Sequence, residues 1–369
     1  MVTIHEASSR SEVLEFLKFP FELYKDNPYW VPPLIHDDMV TLRKNPAFEY
    51  CDKCYWVAKK NGKIVGRIAG ILSKAENQKT GKKLARFGWI EFIDDREVST
   101  LLFKTVENWA RQKGMNQIHG PLGFTDLDRE GMLIEGFDEL GTFATMYNHP
   151  YYLTHLEANG YGKSTDWVEF EIDVPTEIPP RMAEFSKKVA ERFELHQLEG
   201  SRSQLKPYAP KIFGLINKAY HDLYGTVTLT DAQIKFYTEQ YFTFIKTDFV
   251  SIILDKQDEV IAFGLTMPSL SKAVQKAKGK LLPFGFLHIL GSMRKNDRAD
   301  FYLIAIDKEY QRKGIHIMIF EKILKNYQKF GIKKVETNPE LETNIHVQAI
   351  WKDYNPRQHK RRRCFIKNL

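Results

Sequence analysis

The stretch from Asp300 to Gly331 constrains this chain more than any other. It reads as an apolar strand from Phe301 to Ile306, a polar turn from Asp307 to Lys313, then Gly314 and a helix. In the helix Ile315, Ile319, Ile323, Tyr327 and Phe330 recur every three or four residues, with Phe320 and Leu324 beside them, which marks one buried face. Gly331 closes it, and Lys322, Lys325 and Lys329 gather near its carbonyl end, where the helix dipole favours cations. The informative part is the junction Gln311, Arg312, Lys313, Gly314, Ile315, His316. A helix start offers N–H groups without intrahelical acceptors, and two cations and a glycine let a polyphosphate approach them. The pattern predicts a diphosphate cradle.

A chain of 369 residues is comfortable as two domains, each able to bury a core. Apolar content of 43% and charged content of 27% are those of a globular protein. The net charge of +7 suits a polyanionic ligand but is no more than a basic surface, so nucleic acid is not implied. The one dense basic run, His359 to Arg363, is expected at a sheet edge or on a solvated face. Three cysteines are too few for a disulfide framework, so a reducing cytoplasm is expected. Cys51 and Cys54 lack further ligands at zinc spacing, and Tyr55 to Ala58 continues as a strand, so both read as structural thiols. No metal cluster is expected. The first residues carry acids and no apolar core, so no signal peptide is read there, and no apolar run approaches the ~20 residues of a membrane span.

Along the chain, Ser9 and Glu12 form a capping box that opens a short helix at Val13, Leu14 and Leu17. The prolines between Phe19 and Pro46 are expected to forbid long regular structure there. Asn61-Gly62 between Tyr55–Lys59 and Ile64–Leu72 predicts a hairpin. A strand over Phe87–Ile93 and a helix from Glu97 to Lys113, ending at Gly114, follow. Pro175, Pro179 and Pro180 mark a linker, followed by helices over Leu205–Leu223 and Asp231–Ile245. Between Ser269 and Asn296 lies an insertion with an apolar centre and cations on both sides. It reads as a lid over the substrate groove, with membrane-surface contact at 281–293 or an acyl-chain role as the alternative.

An internal repeat is visible. The offset that carries Gly114 onto Gly331 also carries Asp94-Asp95-Arg96-Glu97 onto Gln311-Arg312-Lys313-Gly314, and each glycine is followed by a short strand. The acids at the first junction repel phosphate, so the first copy is not expected to hold a nucleotide cofactor. The first copy also carries a long loop, Gly120 to Tyr152, dense in glycine, aromatics and acids such as Asp126, Asp128 and Glu130. A calcium loop fails because Phe137 stands where a bidentate Glu is required. An acceptor-binding wall is the functional reading. Gly160 to Ser164 imitates the end of a P-loop but leads into a strand, which discards a nucleotide triphosphatase.

Strand, Gln311-Arg312-Lys313-Gly314-Ile315-His316, amphipathic helix, Gly331, a short strand (Lys333 to Thr337) and Asn344 opening another helix resemble the coenzyme A arm of the GNAT acyltransferase superfamily. Gln311 and Gly314 match its loop; His316 stands where a small residue is usual. The proline- and aromatic-rich opening around Pro28 to Leu34 also looks like a bacterial tandem group within that superfamily. The resemblance implies an α/β (α+β) chain of two tandem GNAT-like domains, each a mixed, mostly antiparallel sheet flanked by helices. The expected division is 1–175, with a degenerate cofactor loop, and 176–369, with the coenzyme A site. It implies acetyl-CoA or another acyl-CoA as cosubstrate and a small amine-bearing acceptor as partner. Ile304, Ala305 and Ile306 would lend backbone groups to the pantetheine, and Gln311, Arg312, Lys313, Gly314, Ile315, His316 and Asn344 would complete the cofactor site.

The family's acid is a tyrosine seven residues after the asparagine, a place held here by Trp351, whose indole has no useful acidity. Tyr354, one turn later, is the candidate substitute, and Tyr302 or Asp300 the candidates for the amine proton; Trp351 and Tyr354 read equally as core aromatics. Two functions stay open, a coenzyme A-dependent N-acyltransferase working by direct amine attack on the thioester, acetyl transfer first, or a retired relative that binds an acyl-CoA or metabolite. A nucleic-acid binder using Arg361 to Arg363 ranks last.

Overall fold

The computed structural model describes residues 1–242 and 245–369. The first half runs β1 (Val2–Glu6), α1 (Arg10–Leu23), α2 (Ile35–Lys44), β2 (Cys51–Lys60), β3 (Lys63–Ser73) and α3 (Lys74–Thr80). It continues with β4 (Leu84–Phe92), α4 (Arg96–Gln112), β5 (Gln117–Gly120), β6 (Met132–Glu135), α5 (Tyr151–Ala158) and β7 (Gly162–Asp173). Next come α6 (Pro180–Phe193), β8 (His196–Gln197), α7 (Arg202–Leu205), α8 (Ala209–Ala219), α9 (Asp231–Tyr241), β9 (Val250–Leu254) and β10 (Val260–Pro268). The insertion forms α10 (Ser271–Ala277) and α11 (Gly285–Arg294). The last part is β11 (Arg298–Ile306), α12 (His316–Phe330), β12 (Lys334–Thr337), β13 (Glu340–Leu341), α13 (Ile345–Gln348) and β14 (Arg357–Asn368). The helix expected to reach Ile245 crosses residues 243 and 244, which lie outside the described residues.

All strands join one sheet in the order β1-β2-β3-β4-β5-β14-β7-β12-β11-β10-β9-β8, with β6 beside β14 and β13 beside β7. Among the described residues two pairs are parallel, β4 with β5 and β11 with β12, at matching places in the two halves. Every other pair is antiparallel. The halves exchange strands. β14, from the end of the chain, pairs with β5 of the first half, and β7, from the first half, pairs with β12 of the second. β7 and β14 then pair with each other through the middle of the sheet.

Local sequence explains much of this. The Ser9–Glu12 capping box starts α1, and Asn61 and Gly62, both at positive φ, turn β2 into β3. α4 buries Val98, Leu102, Phe103, Val106 and Ala110 on one side of the sheet. α12 buries Met318, Ile319, Phe320, Ile323 and Leu324 against the second half and closes at Gly331. Each of these side chains larger than alanine contributes about 1.5–3 kcal/mol of burial.

Two expectations are corrected. α1 continues past Pro20 to Leu23 because the Phe16 carbonyl that Pro20 cannot bond, having no N–H, accepts instead from Arg67 Nη1 at 2.9 Å. α2 likewise forms between the prolines. The basic run lies neither at an edge nor in solvent, because β14 is central and the acids of its neighbours receive it. Arg362 pairs with Glu169, Lys360 with Glu336, and Arg363 Nε with Asp166 Oδ1 at 2.7 Å.

Candidate functional site

In each half the parallel pair splays after a few residues, and the two resulting notches differ. In the first half the notch is filled by protein: Tyr151 Oη donates to the Phe92 carbonyl, the Phe92 N–H donates to Tyr152 Oη at 2.9 Å, and the Tyr152 ring stacks on Phe92 at 4.2 Å. The Leu122 N–H donates to the Phe87 carbonyl at 2.9 Å and closes the remaining gap.

In the second half β11 and β12 pair only as far as Phe301 and Thr337, and β11 runs on to Ile306. A bulge opposite Leu265 and Thr266 leaves Tyr302 as the extra residue and turns alternate carbonyls toward the notch. Those carbonyls meet side chains, not a strand. Tyr302 O accepts from Asn338 Nδ2 (3.2 Å), Ile304 O from Tyr220 Oη (2.9 Å) and Ile306 O from Gln311 Nε2 (3.2 Å).

The junction after β11 has the geometry of an anion cradle. Arg312 and Gly314 both take positive φ, 62° and 83°. Among the described residues the N–H groups of Arg312, Lys313, Gly314, Ile315 and His316 have no backbone acceptor. Arg312 and Lys313 are exposed. The Lys313 ammonium stands 5.4 Å over the Phe193 and Tyr310 rings, and Arg312 Nη2 lies 3.3 Å from His346 Nε2. Gly314 is tightly placed, since a Cβ there would come within 2.9 Å of the Phe185 ring of α6. His316 is half-buried, which lowers its pKa and favours neutral imidazole.

The notch opens on a cavity of about 420 Å³ walled by both halves and by the α10–α11 hairpin. Its surface is mainly apolar, from Trp89, Phe143, Trp167, Phe213, Leu265 and Ile289. Trp89 holds a positive φ of 42° at a break in the β3–β4 pairing, a backbone strain that sets its ring against Phe124 and the cavity.

Carboxyls punctuate this apolar wall. Asp126 and Asp128 are pushed up to about 6 by burial. Glu130 is raised well above its ordinary value, by burial first and by Asp126 next. Across the cavity Glu340 takes a hydrogen bond from Trp351 Nε1 at 2.6 Å through Oε1, while Oε2 is enclosed without a partner. Burial raises its pKa to about 8, against the lowering effect of the Trp351 and Thr337 hydrogen bonds. Tyr220 is raised by burial, then by Asp126, with Glu340 a further contributor, so its phenol stands between the two acidic walls. Such a cavity attracts an ammonium group and offers bases to deprotonate it.

The residues singled out from the sequence scatter around this geometry. Tyr302, Ile304 and Asn344 line the cavity. Tyr302 Oη donates to Asp300 Oδ2 at 3.3 Å; Asp300 itself is buried, pushed up to about 7, and faces a smaller cavity with Ser269, Glu336 and His359. Gln311, Arg312, Lys313, Gly314 and His316 stand together in the junction that enters α12, and Ile306 is tied to it through Gln311. Ala305 packs into the core beneath α8, and Ile315 is buried beside α12. Tyr354 packs on Phe320 at 6.0 Å, outside the cavity lining, with its pKa raised to about 12 by burial. Sequence reading missed Glu340 and Tyr220. The signal for Glu340 was its place directly after β12, at the mouth of the splay.

Two copies of a splayed parallel pair, each with a helix behind it, define a tandem GNAT fold. Among solved structures the chain resembles a tandem GNAT protein from the clavulanic acid biosynthesis pathway, with a TM-score of 0.58 and 13% identity over 100% of this chain and 98% of that one. It also resembles a GCN5-related N-acetyltransferase from Sphaerobacter thermophilus, with a TM-score of 0.52 and 8% identity over 100% and 95% of the two chains. Two curated relatives match nearly end to end. Protein YghO of Escherichia coli K12 is 27% identical over 373 residues, 98% of this chain and 94% of the relative. The bacterial ceramide synthase of Caulobacter vibrioides is 26% identical over 371 residues, 97% and 95% of the two. No family model matches the chain.

Proposed function

We propose that this protein is an acyl-CoA-dependent N-acyltransferase whose acceptor is a long-chain primary amine. The observation that carries the reading is the open β11–β12 notch, whose residues Tyr302, Ile304 and Asn338 line an apolar cavity studded with carboxyls, and which is followed along the chain by the unclaimed amides from Arg312 to His316. In this arrangement the junction holds the diphosphate, the edge of β11 around Ile304 aligns the pantetheine, and the cavity takes an alkyl chain with its amino group toward the acids. The relative named a ceramide synthase supports the choice of acceptor, because a ceramide is the N-acyl derivative of a long-chain amino alcohol. An acyl group longer than acetyl fits the same apolar wall. Residues 1–175 supply the acidic loop and 176–369 the cofactor side.

The step is aminolysis of a thioester. A neutral amine forms the C–N bond at the thioester carbonyl and the C–S bond breaks. Glu340, in its ionised form, takes the proton from the ammonium; the Tyr302 hydroxyl, backed by Asp300, then gives its proton to the departing thiolate and takes up the second nitrogen proton of the tetrahedral adduct, which leaves a neutral amide, free thiol and a restored phenol. Tyr354 is assigned no role.

Trp351 at the place of the family's tyrosine favours a second reading, a binding protein that has lost catalysis. Thiol release, measured over a matrix of acyl-CoA chain lengths and amines from methylamine to long-chain amino alcohols, separates the two. Turnover rising with amine chain length supports the enzyme; saturable acyl-CoA binding with no thiol release for any amine supports the binder. Absence of acyl-CoA binding defeats the enzyme and the acyl-CoA binder alike and leaves a binder of another metabolite.

A further inference from the structure

The α10–α11 hairpin has two apolar faces. Leu270, Val274, Leu281 and Ile289 face inward and line the cavity. On the other side Leu282 is 78% exposed, Phe284 71%, Leu287 52% and Leu290 49%, with Phe286 beside them. Nine large apolar side chains are exposed among the described residues, and five of them lie in this one turn and helix. Such concentration marks an interaction surface.

Its rim identifies the partner. Lys272, Lys276, Lys278, Lys280, Arg294 and Lys295 are all exposed, and the segment 269–296 contains no Asp or Glu. Among the described residues none of these six cations enters an ion pair, whereas Lys25, Lys188, Lys211, Lys256 and Lys308 do so elsewhere on the surface. An apolar tip ringed by unpaired cations suits the boundary between anionic headgroups and acyl chains. A second copy of the chain would bring the same cations face to face, which disfavours self-association through this patch.

We propose that the α10–α11 hairpin docks the protein on an anionic lipid bilayer, with Leu282, Phe284, Phe286, Leu287 and Leu290 below the headgroups. A single layer of helix then separates the lipid from the cavity, and the long-chain amine passes from bilayer to cavity along Leu281 and Ile289 without crossing water. The docking stands on the hairpin alone; the passage rests on the acceptor proposed above.

The test is co-sedimentation of the full chain with vesicles of phosphatidylcholine, and of phosphatidylcholine mixed with phosphatidylglycerol. The docked protein partitions at least tenfold more strongly into the mixed vesicles, and added salt weakens the binding. L282S/F284S/L287S loses that partitioning at least tenfold while keeping its melting temperature, since these side chains are exposed in the folded state. K278Q/K280Q/R294Q/K295Q loses the preference for anionic vesicles. Equal sedimentation of the apolar variant overturns the proposal, as does the absence of binding to either vesicle. So does a dimer in light scattering that the apolar variant converts to monomer. A calorimetric titration with acyl-CoA in the absence of vesicles is run in parallel. Vesicle binding without acyl-CoA binding keeps the docking and defeats the acyltransferase reading, and the reverse result defeats the docking alone.

Discussion

Trp351 donates its indole N–H to Glu340 at 2.6 Å, and the two side chains reach one wall of the cavity from different elements, the strand β13 and the turn after α13. The indole holds one carboxylate oxygen and leaves the other enclosed without a partner. In the proposed reaction, the residue that stands at the place of a catalytic tyrosine thereby supports the base.

Glu340→Gln is expected to lower turnover about 10²–10⁴-fold while leaving acyl-CoA affinity unchanged. The wild-type rate is expected to rise with pH through about 8, as Glu340 ionises. Trp351→Phe removes a hydrogen bond that favours the carboxylate, so its rising limb moves to higher pH. A pH–rate profile of the three proteins checks this; an unshifted limb in Trp351→Phe removes Glu340 from the assignment.

Stability is expected to fall as pH rises between about 5 and 8. Asp126 and Asp128 at about 6, Asp300 at about 7 and Glu340 at about 8 all have folded values above their unfolded ones, so the folded state binds more protons in this window. Their contribution is fully present below the unfolded values and lost as pH passes the folded ones. Melting temperature measured from pH 5.5 to pH 8.5 reads the slope, and Asp126→Asn/Glu130→Gln flattens it.

Arg312→Glu/Lys313→Glu is expected to weaken acyl-CoA binding more than tenfold without unfolding the chain, since both side chains are exposed. Gly314→Ala adds strain at φ 83° and a contact at 2.9 Å with Phe185, costing stability by about 1 kcal/mol or more as well as affinity. Isothermal titration and thermal melting of each variant separate the two effects.

Glu169→Ala leaves Arg362 buried and unpaired in the middle of the sheet, and is expected to cost about 3–5 kcal/mol of unfolding free energy. Glu169→Leu/Arg362→Met removes both charges and recovers most of it. Urea denaturation measures both; a mild single variant combined with a severe double one contradicts the account.

The sequence was legible where structure is local. The Ser9 cap, the Asn61-Gly62 turn, the α12 face and the turn that enters α12 at Gly314 each depend on residues within one turn or one helix. It was misleading where a distant partner decides. Pro20 reads as a helix stop until Arg67 supplies the missing donor, and the run from His359 to Arg363 reads as surface until Glu169, Asp166 and Glu336 come alongside. Glu340 was invisible for the same reason, because its burial is created by Trp351 and by the splay of β11 from β12. α6, whose Phe185 overlies Gly314, was hidden behind the prolines that introduce it.

The exchange of β7 and β14 has a consequence for biosynthesis. During translation Gly120 leaves the ribosome long before Phe365, the residue it pairs with, so β5 waits with a bare edge until the final strand is released. A nascent chain cut short before Arg357 lacks the strand that joins β5 to β7, so the sheet stays divided at its middle until the last residues of β14 emerge.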